Sequence, residues 1–207
     1  MTVIDRATWP RREIYDFFAP MSDPFYALTF PVDVTALRRV CKSRGLPFYA
    51  ALVYGVTKAM ERVDAFLYKD RDGVIVKHER LVPSFTDLRP GSETFHIVTL
   101  EAGDSLEEFC RAAKAKSAAQ KCFIANGEWD ADELVYFSCL PWFPVTGFKN
   151  ERNADPGDSV PRVTWGRWRD EGGAVTLDLS LELNHRLLDG VHVGRFYEEL
   201  TGWINGL

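Results

Sequence analysis

Asn184-His185-Arg186-Leu187-Leu188-Asp189-Gly190-Val191-His192-Val193-Gly194-Arg195 sets a histidine, a carboxylate and a glycine in the order His-x-x-x-Asp-Gly. Ala174 to Leu183, just before it, reads as a strand, and Val193 to Asn205, just after it, reads as a helix. A histidine at the exit of a strand is held by the sheet while its ring faces a loop or a neighbouring subunit. Imidazole gains and loses a proton near neutral pH, so such a position suits a general base. Taken alone, the pattern is equally that of an exposed histidine followed by an Asp-Gly turn, with Gly190 allowing a sharp bend. The spacing either places His185 and Asp189 on one helical face or marks a turn whose backbone Asp189 fixes. A metal set of His185, Asp189 and His192 lacks a fourth ligand and a second cluster.

Outward from this stretch, the chain alternates strands with long helices. Trp9 to Phe18 reads as a short helix and Phe25 to Val32 as a strand. Asp33 or Thr35 caps a helix over Ala36 to Ser43 that stops at Gly45, and Pro47 opens a longer one over Phe48 to Arg62. Leu67 to Lys69 and Val74 to Val76 form a hairpin around Asp70-Arg71-Asp72-Gly73. Strands follow at Pro83 to Asp87 and Thr94 to Leu100, then a helix from Asp104 or Ser105 through Ala119. Leu134 to Leu140, Val160 to Arg169 and Val175 to Leu183 read as further strands, with Gly172-Gly173 turning the chain between the last two. Lys149 to Ser159 reads as an exposed polar loop. The expected fold is α/β, an α+β sandwich of mixed β-sheet with flanking helices, as one domain over residues 1–207.

Composition narrows the function. The chain has 207 residues, 46% of them hydrophobic, enough for a substantial core, and 27% charged. No run reaches the roughly 18 apolar residues of a membrane span, so no membrane association and a cytoplasmic location are expected. The formal net charge is -5 and the basic residues are scattered, which gives nucleic-acid binding little support. The four cysteines, Cys41, Cys110, Cys122 and Cys139, form no Cys-x-x-Cys pair and suit neither a zinc site nor a dense disulfide framework.

Three further segments carry chemistry. In Phe137-Ser138-Cys139-Leu140-Pro141-Trp142-Phe143 a strand ends in a hydroxyl that could donate to an oxyanion, or Pro141 and Trp142 simply close the core. Arg162-Val163-Thr164-Trp165-Gly166-Arg167-Trp168 combines indoles and cations able to meet a purine and a phosphate, or is an amphipathic exposed strand. Trp9-Pro10-Arg11-Arg12-Glu13 offers an arginine for a buried aspartate, or is solvated surface.

Together these segments resemble the chloramphenicol acetyltransferase family. Its signature, His-His-Ala-Val-Cys-Asp-Gly-Phe-His-Val-Gly-Arg, aligns with Asn184 to Arg195. Its Ser-x-x-Pro-Trp is met by Ser138, Pro141 and Trp142, and its Thr-x-x-Lys-aromatic by Thr164, Arg167 and Trp168. Trp9, Arg11, Arg12, Glu13 and Tyr15 match its opening motif. The resemblance implies a homotrimer with active sites at subunit interfaces, acetyl-CoA as co-substrate and no metal. It implies His185 as general base, Ser138 as hydrogen-bond donor to the oxyanion, Thr164 as a second stabiliser of the intermediate, and Asp189 with Arg11 as a structural pair that positions His185. Trp142, Arg167 and Trp168 fall at coenzyme-binding positions; Phe17, Phe18, Phe95 and Phe148 fall at acceptor-binding positions. The acceptor implied first is chloramphenicol. Asn184 replaces the first histidine of the family pair, and Phe18, Ser22, Pro24, His96, Asn150 and Arg152 differ from the family at acceptor-pocket positions. The alternatives are the same chemistry on another alcohol or amine, or a non-catalytic trimeric binding protein. The acyltransferase core of a dehydrogenase complex uses the same His-x-x-x-Asp-Gly logic but adds a lipoyl domain and Ala/Pro-rich linkers.

Overall fold

The computed structural model describes residues 1–207 apart from Asn126, Glu128 and Ala154. A two-residue strand, β1 (Thr2–Val3), precedes helix α1 (Arg12–Phe18). Strand β2 (Phe25–Asp33) runs into α2 (Thr35–Arg44), where the Thr35 N–H donates to the Asp33 carboxylate at 2.8 Å. Gly45 ends α2 in the left-handed conformation at φ 67°, which its missing Cβ permits. Pro47 then opens α3 (Phe48–Glu61), followed by a single turn, α4 (Asp64–Leu67). The hairpin β3 (Tyr68–Arg71) and β4 (Val74–Lys77) closes through Asp72 and Gly73, both at positive φ, and the Gly73 N–H donates to the Asp70 carboxylate at 2.8 Å. Next come β5 (Val82–Leu88), β6 (Phe95–Thr99) and α5 (Leu106–Ala119), the last capped by the Ser105 hydroxyl. After a 3₁₀ turn the chain forms β7 (Leu134–Leu140), β8 (Arg162–Gly166), β9 (Arg169–Glu171), β10 (Ala174–Asn184) and α6 (Gly190–Asn205).

Among the described residues β1, β4 and β3 form a small sheet, and the larger sheet runs β2-β10-β8-β7-β5-β6 with β9 beside β10. β8, β7 and β5 are mutually parallel, while β10 is antiparallel to both β2 and β8. The two-residue period sorts the sheet's faces. Val135 and Phe137 of β7, Val163 and Trp165 of β8, and Leu177, Leu179, Leu181 and Leu183 of β10 join one core with Leu52, Val56, Phe196 and Leu200 of the helices. Each such side chain contributes about 1.5–3 kcal/mol by leaving water. The opposite face is polar and carries Ser138, Thr164, Ser180 and Glu182. The long connection from β7 to β8 crosses that face. No helix of the described residues is long and apolar enough to cross a membrane.

The structure corrects several boundaries. The strand expected over Val160 to Arg169 breaks at Arg167 and Trp168, because the Arg167 N–H turns out to donate to the Phe143 carbonyl at 2.8 Å. Gly166 permits that approach, since a Cβ there would lie 2.7 Å from the Phe143 carbonyl oxygen. Leu67 belongs to α4 rather than to a strand, Trp9 to Arg11 precede α1 as a turn, and α6 starts at Gly190, earlier than the expected Val193. The loop from Lys149 to Ser159, of which Ala154 lies outside the described residues, is not simply exposed. Ser159 is buried in it, and the Arg152 side chain is only 8% exposed, because Arg152 pairs with Glu182 of the polar face.

Gly55 fixes the approach of α3 and α6: a Cβ there would lie 2.1 Å from the Trp203 ring. Gly55→Ala gains up to about 1 kcal/mol of helix propensity but forces a rigid indole aside, which costs about 1–3 kcal/mol. We expect a net lower melting temperature, measured by calorimetry; an equal or higher one would contradict this packing.

Candidate active site

β10 delivers the His-x-x-x-Asp-Gly segment. His185 directly follows its last residue, and the His185 N–H donates to the Pro24 carbonyl at 2.8 Å, which continues the ladder toward β2. The chain then turns through Asn184 to Asp189: the Leu187 and Leu188 N–H groups both donate to the Asn184 carbonyl at 3.1 Å. The Asn184 side chain accepts the Arg186 N–H at 3.0 Å and donates to the carbonyls of Pro156 and Asp158. Asp189 caps α6: its backbone N–H donates to Nδ1 of His192 at 2.9 Å, and its side chain accepts from the His192 backbone.

Arg11 closes this loop from the other end of the chain. Its Nε donates to the Arg186 carbonyl at 2.8 Å, its Nη2 to the His185 carbonyl at 2.8 Å and to Asp189 Oδ1 at 2.7 Å, and its Nη1 to Asp189 Oδ2. The planar fork of guanidinium thus grips a carboxylate and two carbonyls in one plane, which a lysine cannot do. Hydrogen bonding to Arg11 holds the Asp189 carboxyl below its ordinary range. The expected Arg11–Asp189 pair is therefore present. His185 Nδ1 lies 3.2 Å from Asp189 Oδ1 without hydrogen-bond alignment, and neither ring nitrogen is hydrogen-bonded among the described residues. The ring is held by packing instead: Phe18 stacks on it at 4.2 Å and Tyr26 tilts against it at 4.7 Å.

Arg186 fixes that packing and was not singled out by the sequence. It donates to the carbonyls of Phe18, Ala19 and Met21, at and just after the end of α1, and pairs with buried Asp70 at 3.3 Å, whose same oxygen accepts the Tyr15 hydroxyl at 2.8 Å. The signal available was a cation beside the histidine where the family signature has alanine. The metal set His185, Asp189 and His192 does not assemble, because Arg11 donates to the Asp189 carboxylate and the Asp189 N–H donates to His192 Nδ1. Among the described residues His78, Asp130 and Asp132 do converge, but the Arg71 guanidinium already bonds both carboxylates.

Ser138 lines a separate cleft of about 990 Å³ on the polar face, with Phe95, Trp142 and Phe148. This is within the range of small-molecule sites. Ser138 pairs with Thr164 in parallel register, and Thr164 is fully buried with its hydroxyl 3.5 Å from Asn150 Oδ1. Cys139 beside it is unsuited as a nucleophile at neutral pH, since burial pushes its thiol up to about 12. The expected coenzyme residues separate: Trp142 lines the cleft, whereas Arg167 is exposed and Trp168 lies against Phe48 at 5.1 Å and under Arg38 at 4.8 Å. The acceptor residues also split, with Phe95 and Phe148 in the cleft and Phe17 beside Phe18 at His185. Of the substituted pocket positions, Asn150 lines the cleft. His96 does not, because it lies on the opposite strand face and bonds Ser117 at 2.9 Å. Ser22 is exposed, Pro24 is buried and supports His185, and Arg152 is half-buried, with its side chain paired to Glu182.

A family model described as chloramphenicol acetyltransferase matches residues 1–201. Chloramphenicol acetyltransferase 2 of Escherichia coli is 27% identical over 202 residues, spanning 96% of this chain and 94% of the relative. A chloramphenicol acetyltransferase of Clostridium perfringens is 27% identical over 207 residues, spanning 98% and 97%. A solved chloramphenicol acetyltransferase structure superposes with a TM-score of 0.87 at 20% identity, covering 98% of this chain and 99% of its own, a likeness of fold.

If Asp189 holds the loop, Asp189→Asn lowers activity and melting temperature together; activity lost at an unchanged melting temperature would argue against this role. His192 adds a pH dependence. Burial, and then Arg11, hold its pKa below the ordinary value. Between that lowered value and about 6.5 the unfolded chain binds more protons than the folded one, so stability rises with pH and is lost below about pH 6.5. His192→Gln, which accepts the same N–H without titrating, should flatten this acid-side fall in denaturant midpoints; an unaltered fall would exclude His192 as its source.

Proposed function

The chain belongs to the chloramphenicol acetyltransferase family, and on that premise we propose that it moves the acetyl group of acetyl-CoA to a hydroxyl of a small acceptor, first chloramphenicol, at sites shared between copies of a homotrimer. It is an acetyltransferase by family; the roles of single residues and the assembly are our reading. That reading places the protein in a compartment that supplies acetyl-CoA, the cytoplasm.

The observation that carries the shared site is the separation of base and oxyanion donor within one chain. Ser138, Thr164 and Ser180 stand in one row across β7, β8 and β10. His185 lies five residues past Ser180 along β10, roughly 16 Å away at about 3.3 Å per residue, and two strand spacings, about 10 Å, to the side. His185 is also absent from the lining of the Ser138 cleft. A histidine side chain does not bridge that gap, so one copy's His185 serves the cleft of the next.

In this arrangement Nε2 of His185 takes the proton of the acceptor hydroxyl. The alkoxide oxygen attacks the thioester carbonyl carbon, and the Ser138 hydroxyl donates a hydrogen bond to the oxyanion that forms. Collapse of the tetrahedral intermediate breaks the carbon–sulfur bond, and the imidazolium returns its proton to the departing thiolate. No acyl-enzyme is needed. Arg11 and Asp189 act by holding His185, and Thr164 supports the same row as Ser138. Trp142 stands at the cleft for the coenzyme, with Arg167 and Trp168 beyond the end of β8.

The test is thiol release from acetyl-CoA with chloramphenicol. His185→Ala should lose about 100- to 10,000-fold in kcat, and Ser138→Ala about 100- to 1000-fold. Co-refolding the two inactive variants should restore activity, because a mixed trimer holds one interface where an intact His185 meets an intact Ser138. Active wild-type enzyme with no restoration in verified mixed trimers would sink the shared site. Coenzyme binding without thiol release from any acceptor would favour a non-catalytic binding protein.

A further inference from the structure

The His185 ring is oriented by packing rather than by a hydrogen bond. Its Nδ1 approaches Asp189 Oδ1 at 3.2 Å but out of line, and the side chain is 35% exposed. A general base is ordinarily set in direction by a group that bonds its second nitrogen. Here that task falls to two aromatic rings: Phe18, stacked at 4.2 Å with the planes 23° apart, and Tyr26, tilted at 4.7 Å. Tyr26 is fixed by its own strand, where it pairs with Leu183, and its hydroxyl donates to the Leu188 carbonyl at 3.2 Å. Phe18 has no strand behind it. It is the last residue of the seven-residue helix α1, at an end where backbone carbonyls lack helical partners.

Arg186 supplies the partners which that helix end lacks. Its Nε donates to the Phe18 carbonyl at 3.4 Å, and its Nη2 to the carbonyls of Ala19 and Met21. Its Nη1 meets Asp70 Oδ2 at 3.3 Å, and the two side chains are only 10% and 2% exposed. Asp70 is itself held in place from three sides. Its Oδ2 also accepts the Tyr15 hydroxyl at 2.8 Å, its Oδ1 accepts the Gly73 N–H at 2.8 Å, and its backbone N–H donates to the Ser159 hydroxyl oxygen at 2.9 Å. Tyr15 lies on α1, three residues before Phe18. Burial, with Asp70 beside it, pushes the Tyr15 hydroxyl up to about 12, so it remains a donor at neutral pH. One carboxylate thus holds α1 twice, through Tyr15 and through Arg186.

Resting on the acetyl-transfer reading above, we propose that Asp70 and Arg186 are positioning residues of the reaction: their buried pair sets the Phe18 ring against His185 and so fixes the direction in which Nε2 meets the acceptor hydroxyl. Both side chains are too buried to reach a substrate, and they act through Phe18. The backbone of Arg186 belongs to the loop that Arg11 grips, while its side chain reaches the end of α1. The imidazole and the ring stacked on it are therefore carried by neighbouring residues of one loop and keep their mutual placement. Arg11 and Asp189 fix where His185 leaves β10, and Arg186 with Asp70 fixes which way its ring then faces.

The test reads His185 by kinetics and by its proton spectrum. Arg186→Ala should lower kcat for thiol release with chloramphenicol by about 10- to 100-fold, the scale of an error of about 1 Å in placing a catalytic group. KM for acetyl-CoA should stay unchanged, since no ground-state contact to the coenzyme is lost. In the wild type the imidazole C–H protons of His185, assigned through His185→Ala, should lie upfield of those of an exposed histidine, under the ring current of Phe18; Arg186→Ala should move them back. Because Arg186→Ala strands a buried carboxylate, the pair Asp70→Asn with Arg186→Met serves as a neutral replacement that keeps the melting temperature closer to that of the wild type. Its kcat should remain low, because the carbonyls at the end of α1 are still unheld. Phe18→Leu combined with Arg186→Ala should lose no more than the larger single loss, since both disturb one contact. An unchanged kcat in Arg186→Ala, a kcat that recovers with the melting temperature in the neutral pair, single losses that multiply, or an unmoved His185 resonance would overturn the proposal. No thiol release by the wild type with any acceptor would instead overturn acetyl transfer, and the His185 resonance would then alone uphold or overturn the hold on the ring.

Discussion

The grip of Arg11 on the loop from His185 to Asp189 is the interaction on which the rest of the site depends. One guanidinium, buried between the two ends of the chain, binds a carboxylate and two carbonyls that would otherwise be unpaired. Removing one partner would strand the others, and breaking a buried pair typically costs about 3–5 kcal/mol; partial exposure of Asp189 moderates that here. The consequence is positional. His185 leaves β10 in a fixed direction, and α6 starts where Asp189 caps it.

The rest of the chain works around that loop. Arg186, next to His185, anchors the segment after α1 and so sets Phe18 over the imidazole. The turn of the β3–β4 hairpin joins in through Asp70, whose backbone N–H also donates to the Ser159 hydroxyl oxygen at 2.9 Å. Lys69 beside it is fully buried, and burial lowers its pKa to about 8 while its Nζ donates to the Ser159 carbonyl at 3.2 Å. The long connection across the polar face is thus tied down from both sides. This explains how a segment of glycine, proline and charged residues forms a wall of the cleft.

Much of the fold was legible in the sequence because its signals are local. The apolar period of α3, the Ser105 cap of α5, the Asp72-Gly73 turn and the glycine stop of α2 all act within a few residues. The failures were local signals overruled from a distance. Val160 to Arg169 has the composition of one strand, yet a carbonyl of another segment captures Arg167 and ends β8. Lys149 to Ser159 has the composition of a surface loop, yet Glu182 on β10 draws Arg152 inside. Leu67 looked like a strand residue because α4 is too short to show a helical period.

The sequence by itself determined the order of the longer elements and the acetyltransferase family, and it offered the residues proposed to do the chemistry, since side-chain chemistry and short-range periodicity are written in neighbouring letters. The tertiary structure alone decided how those residues divide. It put His185 and Ser138 on separate parts of the sheet, turned His96 away from the cleft and gave Arg186 the loop after α1. Strand register and side-chain face cause this: one residue of shift along a strand moves a side chain to the other face, and which strands lie side by side depends on the whole chain.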